Sequence, residues 1–165
     1  MCHIYFISLM IVFLLSKKGI TYTDERTMKL TRKEIEVFWN KWNAAWDNHD
    51  LDSIMEFFHD DIYFNNWTGG YVKGKKNLRY AWHDWLLNHG NFKFIQEELF
   101  IDEQEQKLLY RWKLEWPSIE KGYEGKPEKR RGVDVVHFKD GKIIKKFTYS
   151  KTTLEISDER VKLTP

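Results

Sequence analysis

Cysteine is almost missing from this chain: the single one is Cys2, so neither a disulfide framework nor a cysteine-based metal site is open to it. Proline is scarce, with three in 165 residues, and no Pro/Gly/Ser-rich stretch, repeat or low-complexity segment divides the sequence. One domain is the prior for this length. Charge of one sign is also lacking. The formal net charge is +2, too small to imply a nucleic-acid or anionic-membrane partner. Lys73, Lys75 and Lys76, and again Lys129, Arg130 and Arg131, sit close together. No glycine-rich phosphate cradle accompanies them, so both groups read as solvated surface. What the chain has in excess is aromatic rings. They make up 16% of it, with eight tryptophans, which points to a core or cavity walled by large side chains.

The longest apolar run, IYFISLMIVFLL at residues 4–15, is too short for a comfortable membrane span. It has the length of a signal-peptide core, but no Lys or Arg precedes it and no small-x-small cleavage site follows. Met28 stands just before a good helix start, and the codons for Glu25-Arg26 can form a purine-rich string of the kind that precedes a bacterial start. Two readings of residues 1–27 stay open: an extension upstream of a start at Met28, which goes with a cytoplasmic protein, or a signal or anchor peptide, which goes with an exported or anchored one. Residues 28–165 form the folded domain in either case, and no membrane contact is expected of it.

Thr31 and Glu34 make a capping box. Ile35, Phe38, Trp39, Trp42, Ala45, Trp46 and His49 then recur at helical spacing. Core packing is the ordinary explanation of such a stripe; ligand contact is the alternative for individual tryptophans. Asp50 caps a second, short helix with Ile54, Phe57 and Phe58 inward. His59-Asp60-Asp61 turns the chain into a strand over 62–67. Gly74 precedes a third helix, 75–88, with Leu78, Ala81, Trp82, Trp85 and Leu86 on one face. Residues 92–101 read as a strand whose imperfect alternation predicts a bulge. Residues 107–116 alternate cleanly, with Leu108, Tyr110, Trp112, Leu114 and Trp116 on the apolar side. Residues 157–165 read as a frayed tail.

Residues 130–153 read as a β-hairpin closed by Asp140-Gly141, the dipeptide that a two-residue type I′ turn favours. An unbroken register pairs Phe138 with Ile143, His137 with Ile144 and Asp134 with Phe147. One face then carries Asp134, Phe138, Ile143, Phe147 and Tyr149; the other carries Val133, Val135, His137, Ile144 and Thr148. Asp134 is thereby a carboxylate among rings, where burial without a partner favours the neutral form. A hydrogen-bonded strand aspartate is the plainer alternative. Helix, helix, strand, helix and four strands make an α+β cone: a curved antiparallel sheet wrapped around N-terminal helices that pack into its concave side.

This order resembles the nuclear transport factor 2-like (cystatin-like) superfamily in its SnoaL-like branch. The matching pieces are Trp46-Asp47-Asn48-His49-Asp50 with Ile54 and Phe57-Phe58; Asp60-Asp61-Ile62-Tyr63-Phe64; Gly70-Tyr71-Val72-Lys73-Gly74-Lys75; and Val133 to Phe138 followed by Asp140-Gly141-Lys142-Ile143. They fall between residues 35 and 153. The superfamily includes ketosteroid isomerase, scytalone dehydratase, limonene epoxide hydrolase, polyketide cyclases and many non-catalytic binders or dimerisation modules, so the fold alone does not give function.

Carried over residue by residue, the resemblance places Asp134 where the isomerases have an aspartate that donates to an oxyanion. Their helix-one tyrosine falls at Trp42 and their catalytic base at Asn66, which cannot take a proton at neutral pH. Steroid isomerisation by that route is therefore not expected. The pocket histidines of scytalone dehydratase have no clear counterpart, and His137 lies on the opposite hairpin face from Asp134. The expectation is a small-molecule-binding protein that needs no cofactor or metal and takes a small hydrophobic ligand. Trp42, Trp46, Tyr63, Asn66, Trp82, Trp112, Phe147 and Tyr149 are the expected contacts, and Asp134 is the candidate catalytic residue. The alternative is a cofactor-independent acid/base enzyme of isomerase, cyclase or dehydratase type. A homodimer is expected through the apolar second face of the hairpin, at Val133, Val135 and Ile144.

Overall fold

A computed structural model describes residues 28–163; the readings for residues 1–27 lie outside them. The element order is α1 (Arg32–Asp47), α2 (Leu51–Glu56), β1 (Phe58–Asn65), β2 (Tyr71–Lys73), α3 (Lys75–Asn88), β3 (Lys93–Asp102), β4 (Lys107–Pro117), β5 (Pro127–Lys139), β6 (Lys142–Ser150), β7 (Thr153–Ile156) and β8 (Glu159–Lys162). The main sheet runs β2-β1-β6-β5-β4-β3, with β7 pairing β5 and β8 pairing β7. It curls around α1 and α3, whose apolar stripes fill its concave side.

The helix starts follow from their caps. The Thr31 hydroxyl accepts from the Glu34 amide and the Glu34 carboxylate accepts from Thr31, a complete capping box, while Asp50 accepts from the Ser53 amide. Ile35, Trp39, Trp42, Ala45 and Trp46 are the buried side of α1. Trp39 packs edge-on against Tyr110 at 5.0 Å, and Trp42 against Phe58 at 5.4 Å. The alternation in β4 is complete, with Leu108, Tyr110, Trp112, Leu114 and Trp116 all buried. The bulge expected in β3 falls between Gln96 and Glu98.

Four expectations are corrected, and the hairpin register is a fifth. The sheet is mixed, because β1 runs parallel to β6, a neighbour in the sheet that is distant in sequence. His59, Asp60 and Asp61 belong to β1 rather than to a turn. The tail is an ordered hairpin, with Thr153 paired to Lys162 and Glu128 to Ile156; Leu154 and Ile156 are buried, which fixes it to the end of β5. Arg130 is not solvated. It is 3% exposed, bonded to Glu128 at 2.8 Å and Glu120 at 2.5 Å, and stacked over Trp67 and Trp116.

The central correction concerns the register of β5 on β6. Asp140 and Gly141 both have positive φ, at 50° and 72°, as a type I′ turn requires, and Phe138 pairs with Ile143 as expected. The next pair is His137 with Lys145, so Ile144 is an extra residue on β6. Beyond this bulge every β6 side chain changes face. Asp134 lies opposite Thr148, not Phe147, and the side chains that join it on the concave face are Lys146 and Thr148.

Candidate functional site

A cavity of about 280 Å³ opens between α1, α3, the β1–β2 loop and the concave face of β4–β6. Its aromatic wall is a connected set of rings. Trp46 meets Trp82 at 5.1 Å and Phe94 at 5.5 Å, Phe64 meets Trp82 at 5.2 Å, and Trp112 meets Phe94 at 5.5 Å and Trp67 at 5.9 Å. These rings come from five elements and the β1–β2 loop, and edge-to-face contacts of this kind hold them at fixed angles.

The polar end is built by neighbouring strands. Lys146 Nζ lies 2.8 Å from Asp134 Oδ2 and donates to Thr148 Oγ1 at 2.8 Å. The ammonium also sits 5.3 Å from the centre of the Phe64 ring on β1, the residue paired with Lys146 across the parallel ladder. Asp134 and Lys146 are 4% and 6% exposed. A buried pair of this kind is held only by close geometry, since removing either partner strands the other charge. Among the described residues Asp134 Oδ1 has no hydrogen-bond partner, and neither do the buried indole N–H groups of Trp46 and Trp112. Asp134, Trp46 and Trp112 all line the cavity, so one acceptor and two donors of its wall are left unpaired, in surroundings where an unmade hydrogen bond is costly. Tyr110 also lines it. Burial, reinforced by the negative charges of Asp134 and Asp47, pushes its phenol well above the usual range, so its hydroxyl keeps its proton.

Of the residues singled out in the sequence, Trp42, Trp46, Asn66, Trp82, Trp112 and Asp134 line this cavity. Tyr63, Phe147 and Tyr149 do not. Tyr63 stands on the other side of β1 from Phe64, stacked on Tyr71 at 5.9 Å and tilted against Phe147 at 5.9 Å. An unbroken register places Phe147 and Tyr149 in the pocket; the bulge at Ile144 turns both to the convex side, where Tyr149 is 54% exposed. The same shift brings in Lys146 and Thr148, which sequence reasoning missed. Both residues of the Lys145-Lys146 pair look solvated in the sequence; alternation turns one of them inward in either register, and the bulge makes it Lys146 rather than Lys145. Asp134, read from the sequence as a carboxylate among rings, has a cation as its partner.

No curated protein matches the chain in sequence. Solved structures do match in fold. TerC co-crystallised with polyporic acid has a TM-score of 0.60 at 16% identity, covering 72% of this chain and 92% of that one. An LEH-like epoxide hydrolase of M. tuberculosis has a TM-score of 0.59 at 15% identity, covering 72% and 84%. A SnoaL-like protein of unknown function from Burkholderia thailandensis has a TM-score of 0.59 at 19% identity, covering 75% and 99%. At these identities the likeness is one of fold. The model of the SnoaL-like domain family matches residues 39–146, a span that runs from the aromatic stripe of α1 to the cavity lysine, and the chain belongs to that family.

Proposed function

We propose that this protein binds a small, largely apolar, aromatic molecule in the cavity between α1, α3 and the concave sheet. The observation that carries the reading is the continuous wall of tryptophan and phenylalanine rings ending in unpaired polar atoms, Asp134 Oδ1 and the Trp46 and Trp112 N–H groups. Rings supply burial and stacking, and a few placed polar groups fix orientation. TerC, a neighbour in fold, was co-crystallised with polyporic acid, which supports small-molecule uptake by a cone of this shape. Titration with a panel of bicyclic aromatics, followed by tryptophan fluorescence and thermal melts, tests it. Saturable quenching with a raised melting temperature is expected. A panel in which no compound gives both removes the reading.

The second reading is a cofactor-independent acid/base enzyme. It is favoured by one observation, the unpartnered oxygen of Asp134, which is free to take a proton from a bound ligand while Lys146 holds the other oxygen. A homodimer goes with either reading, and a cytoplasmic location goes with a start at Met28. Among the described residues no helix is long and apolar enough to cross a membrane.

A further inference from the structure

Two lysines stand side by side on β6 and differ in everything but sequence. Lys145 points to the convex side and is exposed; Lys146 points into the cavity and is 6% exposed. Lys146 Nζ has a carboxylate at 2.8 Å and a hydroxyl at 2.8 Å. Its remaining side faces the Phe64 ring and the cavity. An amine that does covalent chemistry needs an apolar enclosure and a nearby base to take its proton. Both are present, and the base has a second, unoccupied oxygen through which to pass that proton on.

We propose that Lys146 forms an imine with an aromatic aldehyde or ketone held in the cavity. The inference rests on the binding reading above and names the ligand class as carbonyl compounds. A proton passes from the Lys146 ammonium to Asp134, which leaves a free amine and a carboxylic acid. The nitrogen lone pair bonds to the carbonyl carbon as the C=O π pair moves to oxygen. That oxygen takes a proton from the nitrogen, giving a neutral carbinolamine. Asp134 then protonates the hydroxyl, the C–O bond breaks, water leaves, and the nitrogen lone pair closes the C=N bond. The product is a protonated imine beside the Asp134 carboxylate. The carbonyl oxygen departs with two of the three ammonium protons, and no oxidant or reductant is consumed. Thr148, which accepts from Lys146 Nζ, is a positioning residue that holds the nitrogen at the cavity wall.

The test uses the full chain and 2-naphthaldehyde. Fluorescence quenching reports binding; sodium borohydride then reduces any imine to a stable amine, and peptide mass spectrometry finds its position. The expected result is a saturable quench and an adduct on Lys146 that forms faster than those on exposed Lys73 and Lys145. Lys146→Arg keeps the charge beside Asp134 and should melt like the parent while losing that adduct. Asp134→Asn, where it folds, should slow trapping by roughly 100-fold, the size of a general acid–base contribution. A saturable quench without a Lys146 adduct overturns the imine and leaves binding standing. Labelling of Lys73 and Lys145 as fast as Lys146 also overturns it. No quench and no adduct overturns the imine, while the binding reading is overturned only by failure of the whole aromatic panel.

Discussion

Trp112 and Gly132 are paired across β4 and β5, and the indole occupies the space a side chain at 132 would need. A Cβ on Gly132 would overlap the ring edge of Trp112 and the carbonyl oxygen of Tyr149. Gly132 is therefore a close-approach glycine: without it Trp112 could not lie against the sheet as part of the cavity wall. Gly132→Ala should destabilise the protein by about 1–3 kcal/mol through overpacking and weaken ligand binding by displacing Trp112. Urea unfolding checks the first. A change under about 0.5 kcal/mol, the range of an ordinary surface substitution, would mean the ring moves aside freely.

Trp112 itself is 1% exposed. Trp112→Ala removes a core ring and should cost on the order of 3–5 kcal/mol, read from the same unfolding curves. A loss under about 1 kcal/mol would show that the surrounding rings collapse into the vacated space.

Much of this architecture is legible in the sequence because local signals agree with it. The Thr31–Glu34 and Asp50–Ser53 caps, the alternation from Leu108 to Trp116 and the Asp140-Gly141 turn each depend on neighbours within a few residues. What could not be read is the extra residue at Ile144. It arises where β6 meets two partners at once: Ile143 N–H donates to Phe57 O, and the ladders to both β1 and β5 shift between Ile143 and Lys145. That geometry depends on a strand far away in sequence. No periodicity in KIIKKFTYS records it. Without that extra residue the strand would put Phe147 and Tyr149 in the pocket and leave Lys146 out. The burial of Arg130 leaves no local mark for a similar reason, since its partners Glu120, Trp67 and Trp116 come from separate parts of the chain.

The convex face is where Phe147 and Tyr149 went. Together with Val133, Val135 and Leu109 they form an apolar area on the side of the sheet that the helices do not cover. Val133 and Val135 remain at the centre of the expected dimer contact, with Phe147 added to it. Light scattering at micromolar concentration should give twice the chain mass, and Val135→Asp with Phe147→Asp should return the protein to a monomer without unfolding it. A parent protein that scatters as a monomer ends this reading.

The Asp134–Lys146 pair sets a sharper stability test. Asp134→Asn leaves Lys146 charged and without its counter-ion, so it should destabilise by about 3–5 kcal/mol, as should Lys146→Met with respect to Asp134. Combining Asp134→Asn with Lys146→Met is not the right control, because the amide keeps polar atoms buried. Asp134→Leu combined with Lys146→Met replaces the pair with apolar side chains of similar bulk and should recover most of the loss. Chemical denaturation of the parent, the two single variants and this double variant measures the recovery. Single changes costing less than about 1 kcal/mol would mean that water reaches the pair and screens it.

His137 gives the fold a pH dependence on its convex side. It pairs with Lys145 and Lys107 and packs edge-on against Phe147 at 5.8 Å. Burial first, and then the positive charges of Lys107 and Lys145, lower its pKa from the ordinary imidazole value. The unfolded chain therefore binds a proton near pH 6.5 that the folded chain still refuses. Stability is full above that pH, falls as the pH drops through it, and levels off below the folded-state value. His137→Gln removes the titrating group, so the gap in melting temperature between parent and variant should shift in the variant's favour from pH 7.5 to pH 5.5. A gap that stays constant over that window would show that His137 titrates alike in both states. A gap that moves in the parent's favour would show that the folded state binds the proton more tightly, as it would if a carboxylate of a partner subunit reached the ring.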